Sequence, residues 1–147
     1  MLVAGPAGEP QYVATTASIE RSRLLAEASD VVRVDWQATE DVAGAGASGD
    51  VVWSNARQQG YMRFRGLARN DPQASQYQLW IFDAARDQRY PVDGGVFDVT
   101  ADGEVVVPIR ARLPVAEATL FAVTVERPGG VVVSDRTRLP LLAPVAG

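Results

Sequence analysis

From Val31 to the end of the chain the hydrophobic period is two, in short runs broken by Gly, Pro, Asp and Asn, and no other feature restricts the fold as strongly. In VVRVDWQ, Val32, Val34 and Trp36 fall on one face, while Arg33 and Asp35 fall on the other with Val31, the pattern of a half-buried strand. Further strands are predicted in DVVWS (50–54), GYMRFRGL (60–67), YQLWIFD (77–83), GVFDV (95–99), EVVVPIR (104–110), TLFAVTVE (119–126) and VVVSD (131–135). About eight short strands with no helical pattern between them predict an all-β chain, an antiparallel β-sandwich of immunoglobulin-like kind, rather than βαβ units.

Local chemistry refines this expectation. Asp-Gly in ADGE (101–104) and Pro-Gly-Gly in RPGG (127–130) separate apolar runs and predict tight hairpins there. Pro108 inside a strand pattern predicts a sheet edge or a bulge. In YQLWIFD, Tyr77, Leu79 and Ile81 alternate with Trp80 and Phe82, so both faces are apolar. Such a strand belongs inside its sheet, one face in the core and the other beneath a loop or a helix. The one helical stretch is SIERSRLLAEAS (18–29), with Ser18 as cap, Glu20 near the positive end of the dipole, Glu20 and Arg23 as an i,i+3 pair, and Ile19, Leu24, Leu25 and Ala28 on an apolar side that needs packing.

Residues 1–17, rich in small side chains without a period, are expected to form a flexible lead-in to a single domain over 18–147. A chain of 147 residues suffices for one core, burying roughly 68–70% of its unfolded surface. No apolar run approaches the roughly 18–20 residues that span a bilayer, and the chain reads as soluble. The start, MLVAGPAGEP, has neither a basic leader nor a long apolar stretch, so it reads as an internal fragment given a starting Met.

Three absences limit the chemistry. There is no His, no Cys and no Lys, and all 14 basic residues are Arg. The commonest general base, the thiolate nucleophile, the Schiff-base amine and the usual zinc ligands are missing together. With a net charge of −4 and scattered arginines, the phosphate-neutralising surface of a nucleic-acid binder is not expected either.

The remaining candidates each have an ordinary structural explanation. GAGASG (Gly44–Gly49) has the spacing of a dinucleotide-binding turn, but β-patterned DVVWS follows where a helix is required, so it reads as a loop. DVTADGEVVVPI starts like a calcium loop with Asp98, Thr100, Asp102 and Gly103, yet its twelfth position is Ile109 instead of a bidentate carboxylate. Asp83, Asp87 and Asp93 are interleaved with Arg86 and Arg89, the composition of surface ion pairs. Serines 18, 22, 29, 48, 54, 75 and 134 have no His or Lys to activate them. Trp36, Trp53 and Trp80 sit at strand positions suited to a core, the alternative being a sugar-stacking platform on a stand-alone carbohydrate- or peptide-binding sandwich. No catalytic, cofactor-binding or metal-ligating residue is therefore assigned, no cofactor is expected, and the chain reads as non-enzymatic.

Beyond physical patterning, GDVVWSNARQQGYMRFRGL, YQLWIFD, GGVFDV and FAVTVERPGGVVVS, in that order, resemble the C-terminal extracytoplasmic domain of the anti-sigma-K factor (RskA) family. The resemblance rests on Tyr77–Trp80, Gly95–Phe97 and Phe121–Gly130, covers about residues 50–140, and is weak before that. It implies a protein in three parts: a cytoplasmic domain that sequesters a sigma factor, one transmembrane helix, and a β-sandwich on the extracytoplasmic (periplasmic) face of the bacterial inner membrane. On this reading the sandwich is a sensor or shield that controls proteolytic release of the sigma factor. Its implied partners are the sigma factor, through a cytoplasmic domain outside this sequence, and envelope proteases, with the membrane touched only through a helix also outside it. The resemblance supplies no ligand or catalytic residue for this chain.

Overall fold

The computed structural model describes residues 15–146. Most of the expected lead-in lies outside the described residues, and its last three belong to the helix and its cap. Helix α1 runs Thr16–Glu27 and is capped by Thr15, whose Oγ1 accepts from the Ser18 N–H at 3.1 Å. Ser18 is thus not the cap but the residue whose N–H is capped. A Thr side chain three residues ahead of a free N–H satisfies it as well as Ser18 would one turn later, and nothing in Thr16–Ala17 opposes the extra turn. Glu20 then lies beyond the first turn, and its carboxylate accepts from the Tyr61 hydroxyl at 3.1 Å.

Nine strands follow: β1 Val31–Asp35, β2 Gln37–Ala38, β3 Ser48–Ser54, β4 Gln59–Arg65, β5 Gln76–Asp83, β6 Val92–Phe97, β7 Glu104–Pro108, β8 Ala118–Glu126 and β9 Leu141–Pro144. They form two antiparallel sheets, β1-β3-β4-β7 and β2-β9-β8-β5-β6. Set against each other, β3-β4-β7 and β9-β8-β5-β6, with crossovers after β4, β6 and β7, have the Greek-key connectivity of an immunoglobulin-like sandwich. The predicted all-β sandwich with one short helix is what the chain forms.

The core lies between the sheets. Val51, Trp53, Met62 and Phe64 from one meet Tyr77, Leu79, Ile81, Phe121 and Val123 from the other. Trp36, Phe64, Phe97 and Tyr77 stack in a row, with ring centroids 5.3, 5.3 and 5.5 Å apart. Burial raises the Tyr77 phenol to about 12. Its hydroxyl is kept protonated and donates to the Ala68 carbonyl at 2.6 Å.

Both outer faces are covered, by different parts of the chain. On the β3-β4 side, Leu24 of α1 packs on Val52 and Tyr61. On the β5-β8 side, Trp80, Phe82 and Ala122 are covered by Val131 and Leu139 of a non-strand strap. β5 is thus apolar on both faces for the predicted reason, the loop and not the helix lying over it.

Four local expectations fail. VVVSD (131–135) is not a strand, and RPGG leads into the strap instead of a tight hairpin; β8 pairs with β9, which the sequence reading missed. Gln78, buried in β5, takes both backbone groups of Val131, accepting its N–H at 2.9 Å and donating to its carbonyl at 3.0 Å, so a side chain replaces the expected strand partner. Asp102-Gly103 does not close a hairpin, because β6 and β7 lie in different sheets. Gly103 does take a positive φ of 91°, which a crossover needs as much as a hairpin does. Finally, VVRVDWQ divides at Trp36, where the chain leaves β3 to join β9.

Pro108 ends the edge strand β7, as its missing N–H requires, and the chain then changes sheets. The Arg110 N–H bonds the Gly94 carbonyl and the Arg112 N–H the Asp93 carbonyl, both on β6.

Candidate functional site

Alternation along β3 turns Asp50, Val52 and Ser54 away from the core, toward α1. Register then decides Asp50's neighbours. β1 and β4 pair with β3 so that Asp35 and Arg63 flank Asp50, and Arg33 lies two residues along the same face of β1. The Asp50 carboxylate is fully buried and holds three guanidinium groups. Arg21 Nη2 of α1 donates to Oδ1 at 2.8 Å and Oδ2 at 3.1 Å, Arg33 Nε donates to Oδ2 at 2.8 Å, and Arg63 Nη2 donates to Oδ2 at 2.8 Å. Burial by itself raises the Asp50 pKa. Hydrogen bonds from Arg63 and Arg21 more than offset that, leaving the group below the ordinary carboxylate value.

One of these arginines belongs to the helix. Its side chain is 12% exposed, and its buried Nε has no hydrogen-bond partner, so Asp50 is the acceptor that makes this burial tolerable. Tyr61 adds a second polar tie through Glu20, and accepts from Gln59 Nε2 at 3.0 Å. Burial, then the Glu20 hydrogen bond, raise the Tyr61 pKa. The helix is therefore fixed to the sheet by buried Leu24, with Leu25 and Ala28 packed beside it, and by a charge cluster whose centre is Asp50. This arrangement can hold or release an element. It presents no nucleophile beside a base.

The backbone around the cluster is tight. Gly49, the last residue of GAGASG, has φ +127°, and a Cβ there would run into the Arg63 carbonyl. That glycine serves strand pairing next to Asp50, while Val42–Gly44, at the start of the run, form a single 3-10 turn, so no helix opens on a dinucleotide cradle.

The other sequence candidates are scattered. Asp83 is buried and accepts the N–H groups of Ala85, Ala116 and Glu117. Burial raises its pKa, and those backbone donors bring it below the usual value. Asp87 pairs with Arg89 at 2.7 Å and Asp93 accepts from the Gly95 N–H at 2.8 Å, so the trio does not converge. Asp98 is held by Asn70 and Gln76, whereas Asp102 pairs with Arg69. Among the described residues no group of three His, Cys, Asp or Glu side chains is placed to hold a metal ion. Ser54 donates to Asp30 Oδ1 at 2.6 Å and accepts from the Arg57 N–H, a turn contact.

Trp36, Trp53 and Trp80 are 7%, 1% and 2% exposed, so they offer no stacking platform. Among the described residues no helix is long and apolar enough to cross a membrane.

Sequence reasoning placed Arg33 on the outward face of its strand and helix 18–29 against something apolar, but missed Asp50. Its partners lie 29, 17 and 13 residues away, and only the strand register shows that they meet.

The family model described as "Anti-sigma-K factor rskA, C-terminal" matches residues 1–137, a span that takes in the helix and Asp50 as well as the motifs from residue 50 onward. No curated protein and no solved structure matches the chain.

Proposed function

We propose, because this chain belongs to the family of anti-sigma-K factor C-terminal domains, that it is the extracytoplasmic regulatory domain of a membrane-anchored anti-sigma factor, and that docking of α1 by Asp50 sets its output. Anti-sigma factors act by binding a sigma factor. In this proposal that contact is made by a separate cytoplasmic domain, while the sandwich governs whether proteases reach the chain ahead of Val31.

The observation that carries this reading is the attachment of α1, the element preceding the sandwich, through Arg21 to a carboxylate that also holds Arg33 and Arg63. A helix of 12 residues is marginal in water and survives by what it packs on. Loss of the Asp50 bonds would free it while the core between the sheets stays intact. Exposure of the N-terminal segment is thus coupled to one ionic contact, and a signal that disturbs that contact changes susceptibility to cleavage. Regulation in this form needs no turnover, in keeping with the regulatory character of the family.

Limited proteolysis tests the placement. The first cut is expected within residues 1–30, and Asp50→Asn should speed it several-fold while leaving the 77–126 region resistant. Initial cleavage inside 77–126, or a rate indifferent to Asp50, overturns the proposal.

A further inference from the structure

Two sheets have four edges, and three of them are protected. β1 carries Arg33 and Asp35 on its exposed side, β2 is two residues long, and β6 is paired by Arg110 and Arg112 of the passing chain. β7, Glu104–Pro108, differs. It pairs with β4 alone, and Val105 and Val107, although they face the core, remain partly exposed at the sandwich margin.

Its free backbone groups follow from parity. The Ile109 N–H bonds the Gly60 carbonyl, so Val107 and Val105 also turn their N–H and C=O groups toward β4, while Glu104 and Val106 turn theirs outward with the Pro108 carbonyl. Pro108 contributes an acceptor but no donor, an inventory that is self-complementary under a two-fold axis.

We propose that β7 is a homodimerisation edge that pairs antiparallel with β7 of a second copy, centred on Val106, and joins the two four-stranded sheets into one. At the axis each Val106 exchanges N–H···O=C bonds with its counterpart, and on either side the Glu104 N–H meets the partner's Pro108 carbonyl. The missing proline donor costs only the Glu104 carbonyl its partner.

Charge selects the register. Centring the pair on Glu104 opposes two carboxylates directly, and centring it on Val105 sets them on the diagonal; centring it on Val106 puts each Glu104 opposite a proline. The groove between α1 and β7, about 360 Å³ and lined by Ile19, Ser22 and Val106 among others, then abuts the axis, and the 49% exposed Ile19 gains cover from the second copy. A two-fold interface of this kind is closed and stops at the dimer. It does not depend on the sigma-factor reading.

Sedimentation velocity of the whole 147-residue chain across increasing concentration tests it, with circular dichroism to verify that each variant is folded. The chain should pass from monomer to dimer. Glu104→Pro, which removes an outward donor and spares the bonds to β4, should leave a folded monomer. A chain that stays monomeric at every concentration, or a dimer indifferent to Glu104→Pro, overturns the proposal; the first of these would leave the bare edge to an extended segment of another protein.

Discussion

At the scale of residues, Asp50 is where a single atom-level change has the widest effect. Replacing it by Ala leaves Arg21 88% buried without its acceptor and sets three guanidinium groups together with the carboxylate they share gone, Arg63 alone keeping Glu104 at 3.7 Å. Breaking a buried pair from one side costs about 3–5 kcal/mol, far more than an exposed ion pair contributes. Asp50→Ala is therefore expected to lower the urea midpoint, with a somewhat shallower slope because the freed helix no longer adds to the surface exposed on unfolding. Asn keeps an oxygen acceptor and should cost less. The same carboxylate makes the docking of α1 acid-sensitive. Its folded-state pKa is depressed, so its contribution is fully present above the unfolded value of about 4 and is lost as pH falls through the lower folded value. Stability should fall on that acidic limb, and Asp50→Asn should flatten the part of the limb that Asp50 causes. None of this could be read from GDVVWS. A lone Asp at the start of an apolar strand has the composition of a solvated strand end, and its partners come from a helix and two other strands.

At the scale of elements, the period of two located most strands correctly because each apolar face has a sheet to bury against, and YQLWIFD was legible as doubly covered because no half-buried strand has Leu79, Trp80, Ile81 and Phe82 in succession. Pairing was less legible. Turn chemistry at Asp102-Gly103 specifies a backbone conformation but not which sheet receives the next strand. At 131–135, three valines look like a strand, yet Val132 and Val133 are 92% and 55% exposed and only Val131 is anchored. That anchor is Gln78, so Gln78→Ala is expected to loosen the strap at Val131, while Arg136 over the Phe82 ring and Arg138 on Asp41 still hold its far end. The change removes two hydrogen bonds and leaves the Val131 backbone groups unpaired, a loss of about 1–3 kcal/mol. Hydrogen exchange should accelerate around Val131 and hardly change in β3 or β4, since their covering helix is held from the other sheet.

At the scale of the whole molecule, the structure has two tiers of attachment. Within the sandwich, each indole N–H also has an acceptor within 3.5 Å: the Arg63 carbonyl for Trp36, the Asn55 side chain for Trp53 and the Thr124 hydroxyl for Trp80. Rings buried and hydrogen-bonded in this way report on the sandwich as a unit. Outside it, α1 rests on Leu24 with Leu25 and Ala28 beside it, on Glu20 and on Arg21, with an exposed 3.5 Å contact between Arg57 and Glu27 at its end. Opening the helix exposes far less apolar surface than separating the sheets, so it should take less free energy. Amides of 16–27 are accordingly expected to exchange with lower protection than those of 77–82 and 120–124. In Asp50→Asn the gap should widen, the helix losing protection while acrylamide quenching of tryptophan stays as low as in the parent chain. Quenching that rises in step with helix exchange would mean that the latch and the core open together. The regulatory element would then be the entire fold instead of its first helix.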